Sequence, residues 1–346
     1  VSLRIGLVGT GAISHLHARA YRNIGFRVTA CTDINPEAGH RFATEHGADF
    51  VPDLATLCAR ADVDIVDVCT LPNVRLEPVR LAAAHGKAVQ VQKPIATTVE
   101  TAAAMLDIAR RAGVALGVVS QHRFDESSQF LHRAIRAGRL GRLLQVDAYV
   151  KWYRSAEYYA RPVKGSWQGE GGGALMNQAI HQVDLLEWLA GPVAEVSAMW
   201  QLGGLHRIES EDVVNALLRY ASGATGVIQA STAFWPGASE RIEFHGTKGT
   251  AIVTGDRLTA WTVQDDDGEP PPLSSQVASG ASDPMAISLE PFERQFLDFG
   301  QAVRTGGRPL VSGEDGLAAI RIVEAVYRSC HTGDRVSIAQ TVGGAA

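Results

Sequence analysis

Along the first 120 residues, short runs that are apolar at almost every position alternate with stretches that are apolar only every third or fourth residue. The uniform runs, Arg4–Val8, Val28–Thr32, Ile65–Thr70, Ala88–Gln92 and Ala115–Val119, predict strands buried on both faces. The spaced stretches near Ile13–Asn23, Pro36–His46, Leu54–Ala61, Leu76–His85 and Val99–Ala112 predict helices between them. Gly86 and Gly113 follow two of these helices, where a left-handed cap favours glycine. Strand and helix in strict alternation specify a parallel sheet covered on both sides, which is a doubly wound α/β fold of the Rossmann type.

The pattern changes near residue 122. A helix over Ser127–Ala137 and a long strand over Leu144–Tyr153 lead to a glycine run, Gly171–Gly173, which opens a helix predicted from Ala174 to Ala190. Strands follow at Val196–Gln201, Val213–Tyr220, Thr225–Ser231, Arg241–His245, Thr250–Val253 and Leu258–Val263, separated by tight-turn signals. Strands joined this way predict a large, mostly antiparallel sheet with one open face, in an α+β domain. The expected division is therefore 1–122 and 123–346. Two closing helices, Pro291–Arg304 and Gly313–His331, are free to pack back on the first domain. Asp265–Pro284 reads as a surface loop, with a substrate lid as the other reading.

Composition narrows the class. The chain has 346 residues, 46% hydrophobic and 20% charged, which suits about two globular domains. A formal charge of −5 and a pI near 6.1 speak against coating nucleic acid. The four cysteines are scattered, as in a reducing compartment, and the eleven histidines show no metal-ligand spacing, so no metal is expected. No signal-peptide pattern or bilayer-length apolar run occurs, so a cytoplasmic protein is expected, without a membrane.

Candidate chemistry begins at the first strand–helix junction, Gly9-Thr10-Gly11-Ala12-Ile13-Ser14. Glycines there let the backbone approach a pyrophosphate at the helix N-terminus. Asp33 ends the second strand, where an acid accepts from the adenine ribose hydroxyls and repels a 2′-phosphate, favouring NAD over NADP. Alternatively, Asp33 only starts the turn before Pro36. Gln92-Lys93-Pro94 closes the fifth strand at the carboxyl edge, where ligands bind, and a cis bond before Pro94 would aim Lys93 inward. In the predicted helix 174–190, Asn177, His181 and Asp184 fall on one face. They are either a functional stripe or ordinary core and solvent contacts. Ahead of it, Lys151, Arg154, Tyr158 and Trp167 interleave cations and rings as a polyhydroxylated ligand would use them, or else form a solvated edge over a core.

Together these segments resemble the family of glucose–fructose oxidoreductase, inositol dehydrogenase and the rhizopine-catabolism protein MocA. The resemblance also runs through Pro72-Asn73, Arg123-Phe124, the His245–Gly249 turn and Tyr327-Arg328-Ser329. It implies an NAD-dependent dehydrogenase acting on a hydroxyl of a sugar, sugar derivative or cyclitol. Separately, the open face of the predicted antiparallel sheet needs covering, so a homodimer or homotetramer is expected. The resemblance implies Lys93 and His181 as the catalytic pair, assisted by Asn177. It implies a cofactor surface of Gly9, Gly11, Ala12, Ile13, Asp33, Thr70, Pro72, Asn73, Gln92 and Lys93. Arg123 and Asp184 join Lys151, Arg154, Tyr158, Trp167, Asn177 and His181 on the substrate side. Three positions depart from the family pattern: Asn177 where Asp is common, Gln92 where Glu is usual, and Leu76 where His is frequent. An amide at 177 orients His181 without raising its basicity, which shifts weight to Lys93. The other readings are a non-catalytic dinucleotide sensor, which would need neither Lys93 nor His181, and an enzyme that never releases its cofactor.

Overall fold

The protein, seen in a computed structural model, is described over residues 2–274 and 288–338. The chain divides into two units, the first formed by residues up to Gln121 with Ser288–Ile320, the second by His122 onward with the residues from Arg321. Residues 288–320 thus leave the second half of the sequence for the first unit.

In the first unit, β1 (Arg4–Val8), α1 (Ala12–Asn23), β2 (Arg27–Thr32), α2 (Pro36–His46), β3 (Asp49–Phe50), α3 (Leu54–Ala59), β4 (Ile65–Val68), α4 (Leu76–Ala84), β5 (Ala88–Val91), α5 (Val99–Ala112) and β6 (Leu116–Val118) follow in strict alternation. All strands pair in parallel, in the order β3-β2-β1-β4-β5-β6. Ile5, Leu7, Val66, Val68, Val89 and Val91 are buried, so both faces of the sheet are covered. Each such side chain contributes roughly 1.5–3 kcal/mol. The order reverses between β1 and β4, which opens a crevice at their carboxyl ends. The two-residue β3 was not legible in the sequence, because a strand this short carries no period.

The second unit contains α6 (Glu126–Arg136), β7 (Leu143–Lys151), α7 (Ala156–Tyr159), α8 (Trp167–Glu170), α9 (Ala174–Asn177) and α10 (Ile180–Ala190). These are followed by β8 (Val193–Leu202), β9 (Glu211–Tyr220), β10 (Thr225–Ser231), β11 (Arg241–Gly246), β12 (Gly249–Thr254) and β13 (Arg257–Val263). α11 (Glu290–Thr305) lies in the first unit, α12 (Gly313–Thr332) crosses the division, and β14 (Val336–Ser337) closes the second sheet. That sheet runs β13-β12-β11-β7-β10-β9-β8-β14 and is antiparallel except for the parallel β7–β10 pair. Along β9, Val214, Ala216 and Leu218 are buried while Asn215, Leu217 and Arg219 point outward, so one face is open.

The expected helix over 174–190 is two helices. Gln178 and Ala179 form a turn in which the Ala179 N–H reaches back five residues to the Ala174 carbonyl. This extra residue per turn takes Asn177 out of the regular spacing with His181 and Asp184, which share α10. The loop expectation over 265–284 falls partly on residues outside those described. Among the described residues, no helix is long and apolar enough to cross a membrane.

Candidate active site

The glycine turn of the first unit is built for a phosphate. Gly9 has φ +88°, and a Cβ there would press against Thr70 at the end of β4. Gly11 opens α1 without a side-chain cap, leaving first-turn N–H groups to an anion, and a Cβ on it would meet nothing within 4 Å. Ala12 is exposed and Ile13 half-exposed on the same turn, while Ser14 is buried in the helix–sheet packing. These features fit the dinucleotide. Asp33 does tie down the turn before Pro36, and it ties down the glycine turn as well. Its Oδ2 accepts from Thr10 N at 2.6 Å and Thr10 Oγ1 at 2.8 Å, and its Oδ1 accepts from Asn35 N at 2.8 Å. Three of about four acceptor positions are taken, so the carboxylate ties the glycine turn to the end of β2, and the acceptor position that remains suits a ribose hydroxyl.

The other cofactor candidates line the same edge. Thr70 is half-exposed after β4, and Pro72 and Asn73 lie in a single 3₁₀ turn, the first buried and the second exposed. Leu76 starts α4. Gln92 is buried and Lys93 half-buried just past β5, and the Lys93–Pro94 peptide is cis. One residue not anticipated organises this edge. Arg75 is buried at 3% exposure and donates to the Thr70 carbonyl from Nε at 3.0 Å and from Nη2 at 2.5 Å. Its Nη1 donates to the Gln92 and Pro94 carbonyls. Burial pushes its guanidinium down to about 9, opposed by Cys69 and Asp67. Arginine beside an exposed 3₁₀ turn carries no sequence signal of burial, which is why it was missed.

In the second unit, Glu211 explains the glycine run. Its carboxylate accepts from Gly173 N at 2.8 Å, Leu175 N at 2.9 Å and the Tyr327 hydroxyl at 2.9 Å, capping the start of α9. A Cβ on Gly173 would lie 1.8 Å from the Glu211 carbonyl oxygen, so only glycine fits. Burial pushes the Glu211 carboxyl up to about 7, against the donors that hold it down. Because this folded-state value exceeds the ordinary one, the group's stabilising contribution is full below about 4.5 and is lost as pH rises through about 7. Thermal melts should therefore show wild type losing a few kcal/mol between pH 5 and 8 through this group. Glu211→Gln, whose side chain does not titrate, should lack that component. Parallel pH slopes for the two proteins would refute it.

His181 is buried at 8% exposure in the first turn of α10, with the His122 ring edge-on at 4.9 Å. His122 Nδ1 is 2.8 Å from Asp125 Oδ2. Asn177 donates from Nδ2 to the Gly172 carbonyl at 3.0 Å. Arg123 and Asp184, both expected toward substrate, instead meet each other: Nε–Oδ2 is 2.8 Å and Nη2–Oδ1 is 2.6 Å, with both side chains buried. Their separation of 61 residues hid this ion pair from the sequence.

The substrate-side candidates are spread along 151–170. Lys151 is exposed at the end of β7, its Nζ 5.3 Å from the Tyr149 ring centre. Arg154 is buried, with its guanidinium 4.8 Å from the Trp152 ring and 5.8 Å from the Tyr158 ring. Arg161 and Lys164 also lie over Tyr158, and its hydroxyl accepts from Gln178 Nε2 at 3.2 Å. Trp167 packs on Trp200 and Tyr327 and donates to the Glu209 carbonyl at 3.1 Å, an arrangement of packing. Although no metal spacing exists in the sequence, the fold gathers His15, Glu45 and His46, then His17, Asp67 and Cys69, and finally Asp147, Glu243 and His245.

A doubly wound sheet with this glycine turn, an acid after β2 and a lysine at the carboxyl edge defines a nicotinamide-dinucleotide oxidoreductase. Residues 3–120 match the oxidoreductase family with an NAD-binding Rossmann fold, and residues 128–252 match the GFO/IDH/MocA C-terminal domain. The chain belongs to this glucose–fructose oxidoreductase, inositol dehydrogenase and MocA family, and its cofactor is NAD. It is 29% identical to inositol 2-dehydrogenase of Rhizobium meliloti, over 98% of this chain and 100% of that protein. It is 30% identical to D-apiose dehydrogenase of Paraburkholderia graminis, over 96% and 88% respectively. The WlbA dehydrogenase of Bordetella pertussis, solved with NADH and UDP-GlcNAcA, superposes with a TM-score of 0.86 at 32% identity, covering 98% of each chain.

Proposed function

We propose that this oxidoreductase interconverts a secondary hydroxyl and a ketone on a sugar, sugar derivative or cyclitol. The observation that carries the reading is the carboxyl edge of the first sheet, where the dinucleotide turn after β1 and the Arg75-braced Lys93 loop after β5 flank the end of β4. Bound NAD supplies the hydride acceptor in the oxidative direction. Carbon-bound hydrogen leaves readily only as the hydroxyl proton departs, so the chain must place a base on that oxygen. His181, whose imidazole suits proton transfer near neutral pH, is assigned that proton. Lys93 donates a hydrogen bond that orients and polarises the hydroxyl oxygen, and Asn177 steadies the glycine loop ahead of His181.

The substrate class is supported by the cations and rings of 151–164 and by the relatives, which act on inositol and on D-apiose. A nucleotide-linked uronic acid, as held by WlbA, would use Lys151 or Arg154 for its charge, whereas a neutral sugar or cyclitol would use the rings. An assembly of two or four copies through the open face of the second sheet, in the cytoplasm, is part of the same reading. The test is nicotinamide absorbance across a panel of sugars, uronic acids, nucleotide sugars and cyclitols, with NAD and NADP in parallel. Turnover with NAD well above that with NADP is expected on at least one polyol. Tight cofactor binding with no turnover anywhere in the panel would overturn the reading.

A further inference from the structure

Behind the Lys93 loop lies a line of buried polar groups that the proposed chemistry does not use. His17 on α1 and Asp67 on β4 are both fully buried, and His17 Nδ1 is 2.7 Å from Asp67 Oδ2. On the other side of the imidazole, His17 Nε2 is 3.1 Å from Gln92 Nε2. The far end of the Gln92 amide, Oε1, accepts from the Lys93 backbone N–H at 2.6 Å. The Phe292 and Phe296 rings of α11 pack on His17 at 5.5 and 5.0 Å and close the line from solvent. Tyr21, Cys69 and Arg75 face Asp67, and burial raises the thiol of Cys69 well above its usual range, so the sulfur keeps its proton.

Each group in this line dictates the polarity of the next. A peptide N–H only donates, so Lys93 requires the oxygen of Gln92 on its side. The Gln92 NH₂ group must then face His17 Nε2, which must present a lone pair. The imidazole proton therefore sits on Nδ1, where Asp67, an acceptor only, receives it. Where the family resemblance would put a carboxylate at 92, this chain has an amide, and the carboxylate stands at 67 on the opposite side of the ring. We propose that Asp67 and His17 are positioning residues that hold Lys93 through Gln92, by fixing one tautomer of His17. This rests on the reading of Lys93 as a catalytic residue.

The experiment combines ¹⁵N NMR of the histidine rings, with His17 assigned by its loss in His17→Gln, and steady-state kinetics of four variants. Wild type should show His17 with its proton on Nδ1. In Asp67→Asn the residue at 67 can also donate, so the tautomer is released. Gln92 can then turn its oxygen toward a His17 Nε2–H, the Lys93 N–H loses its acceptor, and kcat should fall roughly tenfold, the scale of a lost outer hydrogen bond, with KM for NAD moving less than about twofold. In Asp67→Asn/Gln92→Glu, a carboxylate accepts on both sides. The proton should move to Nε2, and kcat should recover much of what Asp67→Asn lost. Gln92→Ala should lower kcat without such recovery when Asp67→Asn is added. A wild-type proton on Nε2, an unchanged kcat in Asp67→Asn, or a double variant no better than Asp67→Asn would overturn the proposal. If Lys93→Met retained turnover, the role of Lys93 would fail instead, and the tautomer result would still stand.

Discussion

Lys93→Met should lower kcat by about a thousandfold, within the range spanned by lost acid–base groups, while NADH binding followed by fluorescence stays close to that of wild type. Methionine keeps the length and apolar stem of lysine and removes only the ammonium, so packing past the end of β5 is conserved. The glycine turn, Asp33 and the N-terminus of α1 are untouched, which is why cofactor affinity should persist. Lys93 is half-buried at this edge, with its backbone N–H fixed by Gln92. A Lys93→Met enzyme within tenfold of wild-type kcat would remove Lys93 from the reaction and leave the hydroxyl to His181 alone.

Arg75→Met should cost about 3–5 kcal/mol of stability, read as a fall in melting temperature on the order of 10 °C, and should lower kcat as well. The guanidinium is the shared donor for the carbonyls of Thr70, Gln92 and Pro94. Methionine fills the space but leaves those carbonyls buried without it, at about 1–3 kcal/mol each before relaxation. The Asp67 carboxylate would also lose a nearby positive charge. Arg75→Lys restores one charge but lacks the planar fork that reaches three carbonyls, so only partial recovery is expected. A melting temperature unchanged in Arg75→Met would show that the loops after β4 and β5 hold each other without it.

Most of the fold was legible because its periods are strong. β1, α2, α5 and β10 occur at the residues their patterns predicted, and other elements differ mainly at their ends. The misses follow from physics that local pattern does not report. The break at Gln178–Ala179 falls in a stretch, 174–190, that has no glycine or proline to mark it. Within the site, the glycine turn and Lys93-Pro94 were visible because backbone geometry there restricts the residue type. Arg75, His17 and Glu211 were not, because a buried polar side chain is recognised by its partners, which, Thr70 apart, lie 17, 50 and 36 or more residues away.

The sequence by itself therefore determined the two kinds of sheet, the dinucleotide turn and the residue types available for hydride chemistry. Those features depend on hydrophobic period and on the few residues that tolerate a given backbone shape. Only the tertiary structure decided which polar groups face ligand and which satisfy one another. Arg123 and Asp184 became an ion pair, Asp33 was tied to Thr10 and Asn35, and Asp67 was set behind His17. The reason is that burial makes an unpaired polar group costly, so each finds its partner wherever the fold brings one within reach.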